Sequence, residues 1–231
     1  MLEHFPQGGY RFLASPGRPF SAGVIADPGH ELVHAVLLRP QPLEAGLDTA
    51  RRHLERAGRP LTSLAAFELR IPAPLSPGGF DEFNAGYVER LRAIGLAAGD
   101  RLPAARTNVA PTGGSITEPS LYAFTYTIEG APRRPAFLLS GSGETDRTSV
   151  EARLESIVTV LEDRLAQLGV GWEDVSATNF YGPTVPAELS AALRRLGPAA
   201  THGYRWYPSR PPLTTLEYEL DARGTGQELI V

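Results

Sequence analysis

The chain has 231 residues, 42% hydrophobic and 21% charged, with 24 Gly and 21 Pro. That composition excludes a coiled coil, a collagen-like rod and a disordered polymer. Cysteine is absent and all 22 basic residues are arginine, which excludes disulfides, thiolate metal sites, Cys nucleophiles, Schiff-base lysines and the lysine of a phosphate loop. A formal charge of −4 offers no bulk attraction to nucleic acid or to anionic membrane. No apolar run approaches the ~18 residues of a membrane span, and the opening residues lack the basic-then-apolar pattern of a signal peptide. The expectation is a cytoplasmic protein with no nucleic-acid and no membrane partner.

In chain order, Phe20 and Ser21 open a strand that the turn Asp27-Pro28-Gly29 folds back onto residues 34–38, as a β-hairpin. Leu43, Leu47, Ala50 and Leu54 mark one face of a helix, stopped by Gly58. Residues 66–71 alternate apolar and charged, which fits a strand with one covered face. Phe80, Phe83, Tyr87 and Leu91 line a second helix, and Pro103-Ala104-Ala105-Arg106 leads into another strand. Residues 121–128 form the next strand, which a turn at Gly130-Ala131-Pro132 pairs with residues 136–140. Thr148 and Glu151 fit a capping box, and Glu144-Thr145-Asp146 adds first-turn acidity, for a helix faced by Leu154, Val158, Leu161 and Leu165. Gly169 stops that helix, and Trp172 and Val175 lead into a strand. A shorter helix runs from Pro186 to Gly197, and residues 215–221 form a final strand with Glu217 and Glu219 on its solvated face.

Much of this list occurs twice. The first and third helices match at an offset of 111 that continues through Gly58 and Gly169, Leu61 and Trp172, and Leu64 and Val175. The preceding strands match at 102, and Pro103 to Arg106 matches Pro198 to Thr201 at 95. Offsets that change only between elements are what loop insertions produce. The chain is therefore expected to be an α+β protein of two tandem β-β-α-β-α-β-β units, 1–118 and 119–231, with helices on one face of each sheet. The strand near 119–128 either serves both units or leaves the first without its last strand.

Five short motifs in this order resemble the Rid (YjgF-type) family, which includes reactive-intermediate deaminases. They are Pro19-Phe20-Ser21, Phe83-Asn84 with Tyr87, Pro103-Ala104-Ala105-Arg106, Leu139-Ser140-Gly141 and Leu216-Glu217-Tyr218-Glu219. The resemblance implies a chorismate-mutase-like fold and trimers with ligand sites between neighbouring subunits. It further implies a small carboxylated metabolite, an imine or enamine that is hydrolysed; no cofactor is expected. Arg106 would grip the carboxylate, as a guanidinium fork does through two charge-assisted bonds. Glu217 would position water as the second catalytic residue. Phe20, Ser21, Asn84, Tyr87, Ser140 and Gly141 would complete the binding site.

One feature opposes simple transfer of that activity. Arg106 lies in the first unit and Glu217 in the second, where Thr201 stands in the arginine's place. Two other readings stay open: a non-catalytic binding or assembly protein with degenerate sites, and a chorismatase-like hydrolase. The five histidines are scattered, so no metal site is expected.

Overall fold

A computed structural model describes residues 1–15 and 19–231. Strands β1 (Leu2–Phe5), β2 (Tyr10–Ala14), β3 (Ser21–Ala26) and β4 (His30–Pro42) precede helix α1 (Leu43–Arg56). Then come β5 (Leu64–Arg70), α2 (Pro77–Ala93), β6 (Ala105–Pro111), β7 (Ser120–Glu129), β8 (Phe137–Leu139) and β9 (Ser142–Gly143). Helix α3 (Val150–Leu168), β10 (Ala177–Gly182), α4 (Leu189–Leu193), β11 (Arg205–Arg210), β12 (Glu219–Gly224) and β13 (Gln227–Ile230) complete the chain. No helix among the described residues is long and apolar enough to cross a membrane.

The periodic helices form where their apolar stripes lie. Helix α1 buries Leu43, Ala50 and Leu54, and α3 buries Leu154, Val158, Leu161 and Leu165. Each is followed by a glycine with positive φ (Gly58 at 65°, Gly169 at 75°), then a 3-10 turn (Leu61–Ser63, Trp172–Asp174) and a strand. The cap of α3 differs from the expected box. The Ser149 hydroxyl, not that of Thr148, accepts the Ala152 N–H. The helix expected from Pro186 to Gly197 is only the five residues of α4, continued as a 3-10 stretch that kinks at Gly197.

Strand pairing departs from both expected hairpins. The Asp27-Pro28-Gly29 turn does reverse the chain, with Gly29 at φ 85°. A strand has only two edges, however, and those of β3 are taken by β2 and β8, while β4 lies between β7 and β13. Strand β7 likewise pairs with β4 and β5, not with β8. The N-terminal hairpin β2–β3 thus joins the strands of the C-terminal half, and the C-terminal β13 runs parallel to β4 of the N-terminal half. The order is β1-β2-β3-β8-β12-β10-β11-β6-β5-β7-β4-β13, with β9 paired to β12 off this path. A bridge between Ser21 and Ala105 connects β3 to β6, closing a ring through β8, β12, β10 and β11.

Two apolar cores flank the strands, one under α1 and α2 and one under α3 and α4. Strands β2, β3 and β8 feed both by alternation. Phe12, Val24 and Leu138 enter the first core, while Leu13, Ile25, Phe137 and Leu139 enter the second.

The faces turned away from the helices meet and are polar. On β5, Glu68 and Arg70 are buried, so this strand has both faces covered rather than one. The Glu68 carboxylate lies 3.5 Å from His34 Nε2, 3.6 Å from Arg70 and 3.7 Å from Arg223, which crosses from β12. Arg223 also reaches Glu228 of β13 at 2.9 Å. Burial outweighs the nearby carboxylates at His34 and lowers its pKa to about 4, leaving it neutral at physiological pH. Removing one member of a buried ionic cluster strands its partner's charge. Arg223→Met is expected to lower the unfolding free energy by about 3–5 kcal/mol in urea denaturation.

Candidate active site

Strand β6 enters the sheet at Ala105, so the next residue, Arg106, and Asn108 share one face, while Thr107 points to the other. The Arg106 guanidinium is held by α2 and by the segment before β3. Phe20 and Tyr87 present ring faces 4.6 and 4.8 Å away, and Phe80 and Phe83 stand at 5.7 Å. Nη2 donates to Asn84 Oδ1 at 2.9 Å. An arginine so clamped keeps its charge and has little freedom left to lose when a ligand arrives.

Ser140 links the two halves of the chain. Its hydroxyl accepts the Arg106 N–H at 3.1 Å and donates to the Ser21 carbonyl at 2.7 Å. Its own carbonyl accepts from Nη1 of Arg164, on α3, at 2.9 Å. The Gly141 N–H donates to the Thr107 hydroxyl (3.0 Å), which donates to Asp221 (2.9 Å). A Cβ at Gly141 would collide with the carboxylate of Glu219, which would have to move to admit it.

These groups surround a cavity of about 250 Å³ whose lining includes Phe20, Arg106, Asn108, Gly141, Arg164 and Glu219. It is smaller than the ~300–1,000 Å³ typical for drug-sized ligands and suits a small metabolite. Larger hollows border α2, but they hold neither Arg106 nor Glu219. Burial and the neighbouring Asp221 carboxylate push the Glu219 carboxyl up to about 8, against the pull of Arg106 and Arg164. At neutral pH Glu219 is therefore largely protonated. Burial lowers Arg164 to about 10, against the pull of Glu219, so it remains a cation. Two guanidiniums and one proton-carrying carboxyl thus share a small space, a combination suited to holding carboxylates while moving a proton.

The family model for 2-aminomuconate deaminase CnbZ matches residues 2–229. The chain belongs to this Rid-like family. A relative, the 2-amino-5-chloromuconate deaminase of Comamonas testosteroni, is 38% identical over 98% of both chains. Among solved structures, a chorismatase aligns over 88% of this chain and 77% of its own with a TM-score of 0.54 at 14% identity. That likeness is one of fold, and the fold is chorismate-mutase-like α+β. A YjgF/YER057c/UK114-family protein of Mycobacterium tuberculosis covers 41% of this chain and 81% of its own, with 16% identity and a TM-score of 0.34.

Against this deaminase-family cavity, the residues singled out in the sequence divide into three groups. Phe20, Ser21, Arg106, Ser140 and Gly141 line it. Asn84 and Tyr87 stand behind Arg106 and do not. Glu217 lies outside it, paired with Arg153 at 2.8 Å. The final strand begins later than its alternation suggests, because the Glu144 carboxylate takes the N–H groups of Glu217 and Tyr218 and holds them off the sheet. Glu144 is thus a buried brace for this segment rather than part of the α3 cap. Thr201 does not occupy the place of Arg106 either, since it sits in the 3-10 stretch before β11.

Among the cavity residues that the sequence reading gave no role in a site are Glu219, Arg164 and Asn108. Glu219 was visible only as the second acid of an alternating pair. The remaining signal is the position of Arg164 between Leu161 and Leu165 on a buried helix face.

The raised Glu219 value has a stability consequence. Between its ordinary value of 4.5 and about 8 the folded chain binds more protons at this group than the unfolded chain. Its contribution to stability therefore falls as pH rises through that window and levels off above it. Glu219→Gln is expected to flatten this fall, so the variant's Tm gains on wild type from pH 5 to pH 8.5 in thermal scans.

Proposed function

We propose that this chain is a hydrolytic deaminase of 2-amino-substituted muconates, small enamines with a carboxylate at each end. The observation that carries the reading is the convergence of Arg106, Arg164 and Glu219 on one cavity. Arg106 and Arg164 hold the two carboxylates, and Glu219 serves as acid and base. Protonated Glu219 donates to the enamine carbon next to the amino-bearing carbon, giving an iminium. The resulting carboxylate takes a proton from water as its oxygen bonds to the iminium carbon. Glu219 then passes that proton to the nitrogen and recovers the hydroxyl proton as the carbon–oxygen double bond forms and ammonia leaves. The balance is enamine plus water to ketone plus ammonia, with Glu219 returned to its starting state.

The same reading takes the chain as two Rid-type units in tandem, in support of which α1 and α3 are each followed by a positive-φ glycine, a 3-10 turn and a strand.

Ammonia release from 2-aminomuconate by the purified protein tests the activity. General acid–base catalysis contributes about 10²–10⁴-fold, so Glu219→Gln is expected to lower kcat by that order. Arg106→Ala and Arg164→Ala are each expected to lower kcat/KM roughly ten- to hundredfold, the worth of a hydrogen bond to a charged group. Wild-type kcat/KM should decline as pH rises through about 8, where Glu219 loses its proton. Tight binding of muconate without ammonia release would favour the non-catalytic reading instead.

A further inference from the structure

Asn108 is 3% exposed and lines the cavity, yet among the described residues neither its amide nitrogen nor its amide oxygen has a hydrogen-bond partner. An unsatisfied buried amide costs stability, and such groups are rare in folded chains unless something outside the protein completes them. Its strand neighbour does not serve it, because Thr107 faces away toward Asp221. Asn108 leaves β6 on the same face as Arg106, two residues along. Its amide is thus set beside the guanidinium that the deaminase reading assigns to a carboxylate.

We infer that Asn108 reads the amino-bearing end of the substrate, its oxygen accepting from the substrate N–H and its NH₂ donating to the adjacent carboxylate. The chemistry is complementary. A carbon bearing both an amino or iminium nitrogen and a carboxylate presents a donor and an acceptor side by side in one conjugated plane. A carboxamide presents an acceptor and a donor in the same spacing, as when Asn pairs with the amino and ring nitrogens of adenine. The arginines select for carboxylates and are indifferent to the nitrogen. Asn108 supplies the discrimination, because a ligand without the N–H leaves its oxygen unpaired. It also holds the planar end of the molecule in register for proton transfer from Glu219. Asn108 is on this account a specificity-determining residue, and it rests on the deaminase reading above.

The test compares 2-aminomuconate as substrate with unsubstituted muconate as competitive inhibitor, in wild type, Asn108→Leu and Asn108→Ala. A bidentate pair of this kind discriminates by roughly ten- to hundredfold. Asn108→Leu should lose that much in kcat/KM for 2-aminomuconate, while its inhibition constant for muconate shifts less than about threefold. The thermal midpoint of Asn108→Leu should match or exceed that of wild type, since an unsatisfied amide has been removed. Asn108→Ala removes both the acceptor and the donor without adding bulk or charge, so its losses should follow those of Asn108→Leu; it carries the test if the leucine variant does not fold. Equal losses toward substrate and muconate, or no loss toward the substrate, would overturn the assignment and leave the deaminase reading standing. A wild-type protein that releases no ammonia from 2-aminomuconate would overturn both.

Discussion

Strand β12 carries Glu219, Asp221 and Arg223 on one face and Leu220 and Ala222 on the other, and every one of these residues is buried. The apolar pair packs under α3 and α4 in the ordinary way. The charged row lies in the closed space between the helix-free faces, where each member needs a specific partner. Arg223 has Glu68 and Glu228. Asp221 accepts from Thr107, Asn179 and Tyr181 at 2.8–2.9 Å. Glu219 stands at the end of the row, against the cavity, where its neighbours are Asp221 on one side and two arginines on the other. Its raised pKa therefore follows from the architecture of the row, and the close approach of Gly141 follows from where the row places its carboxylate.

The row also explains which parts of the molecule were readable in advance. Helix faces, glycine stops and the positions of most strands depend on residues close together in sequence, and α1, α2 and α3 form where their periodicity lies. Partner choice in the sheet does not. The turns at Gly29 and Gly130 report that the chain reverses, but which edges remain free depends on strands that arrive from the other end of the chain. The alternation in β5 and β12 was visible too, yet alternating charge looks the same whether the polar face meets water or a second polar face. Glu217 and Glu219 differ only in that a buried carboxylate from residue 144 holds the first of them off the sheet. Arg106 could be found because a local motif surrounds it; Arg164 reaches the same cavity from a helix more than fifty residues away.

Arg106 and Glu219 come from opposite halves of the chain, and the sheet topology brings both to one cavity. Ser140, at the end of β8, bonds the backbone of both β3 and β6, so the N-terminal hairpin, the first half's Arg106 and the second half's Glu219 are assembled within one chain. No second copy is needed to bring those groups together.

On the tandem-unit reading proposed above, the sheet register leaves room for one such site and not two. Arg106 lies opposite Phe67, and Phe67 shifted by 111 is Thr178, next to Asn179, which lies opposite Arg205. The counterpart of Arg106 is then Tyr204. Glu219 lies opposite Tyr181, which shifted back by 111 is Arg70, and Arg70 lies opposite Ser120. The reciprocal position thus offers a tyrosine and a serine where the cavity has an arginine and a glutamate, so it lacks the charge and the carboxyl to which the proposed function assigns binding and proton transfer. Two similar halves can divide the labour in this way, because each contributes to the same cavity what the other lacks. The first half supplies the clamped arginine with its aromatic supports. The second supplies the buried acid, the glycine that makes room for it and the second arginine.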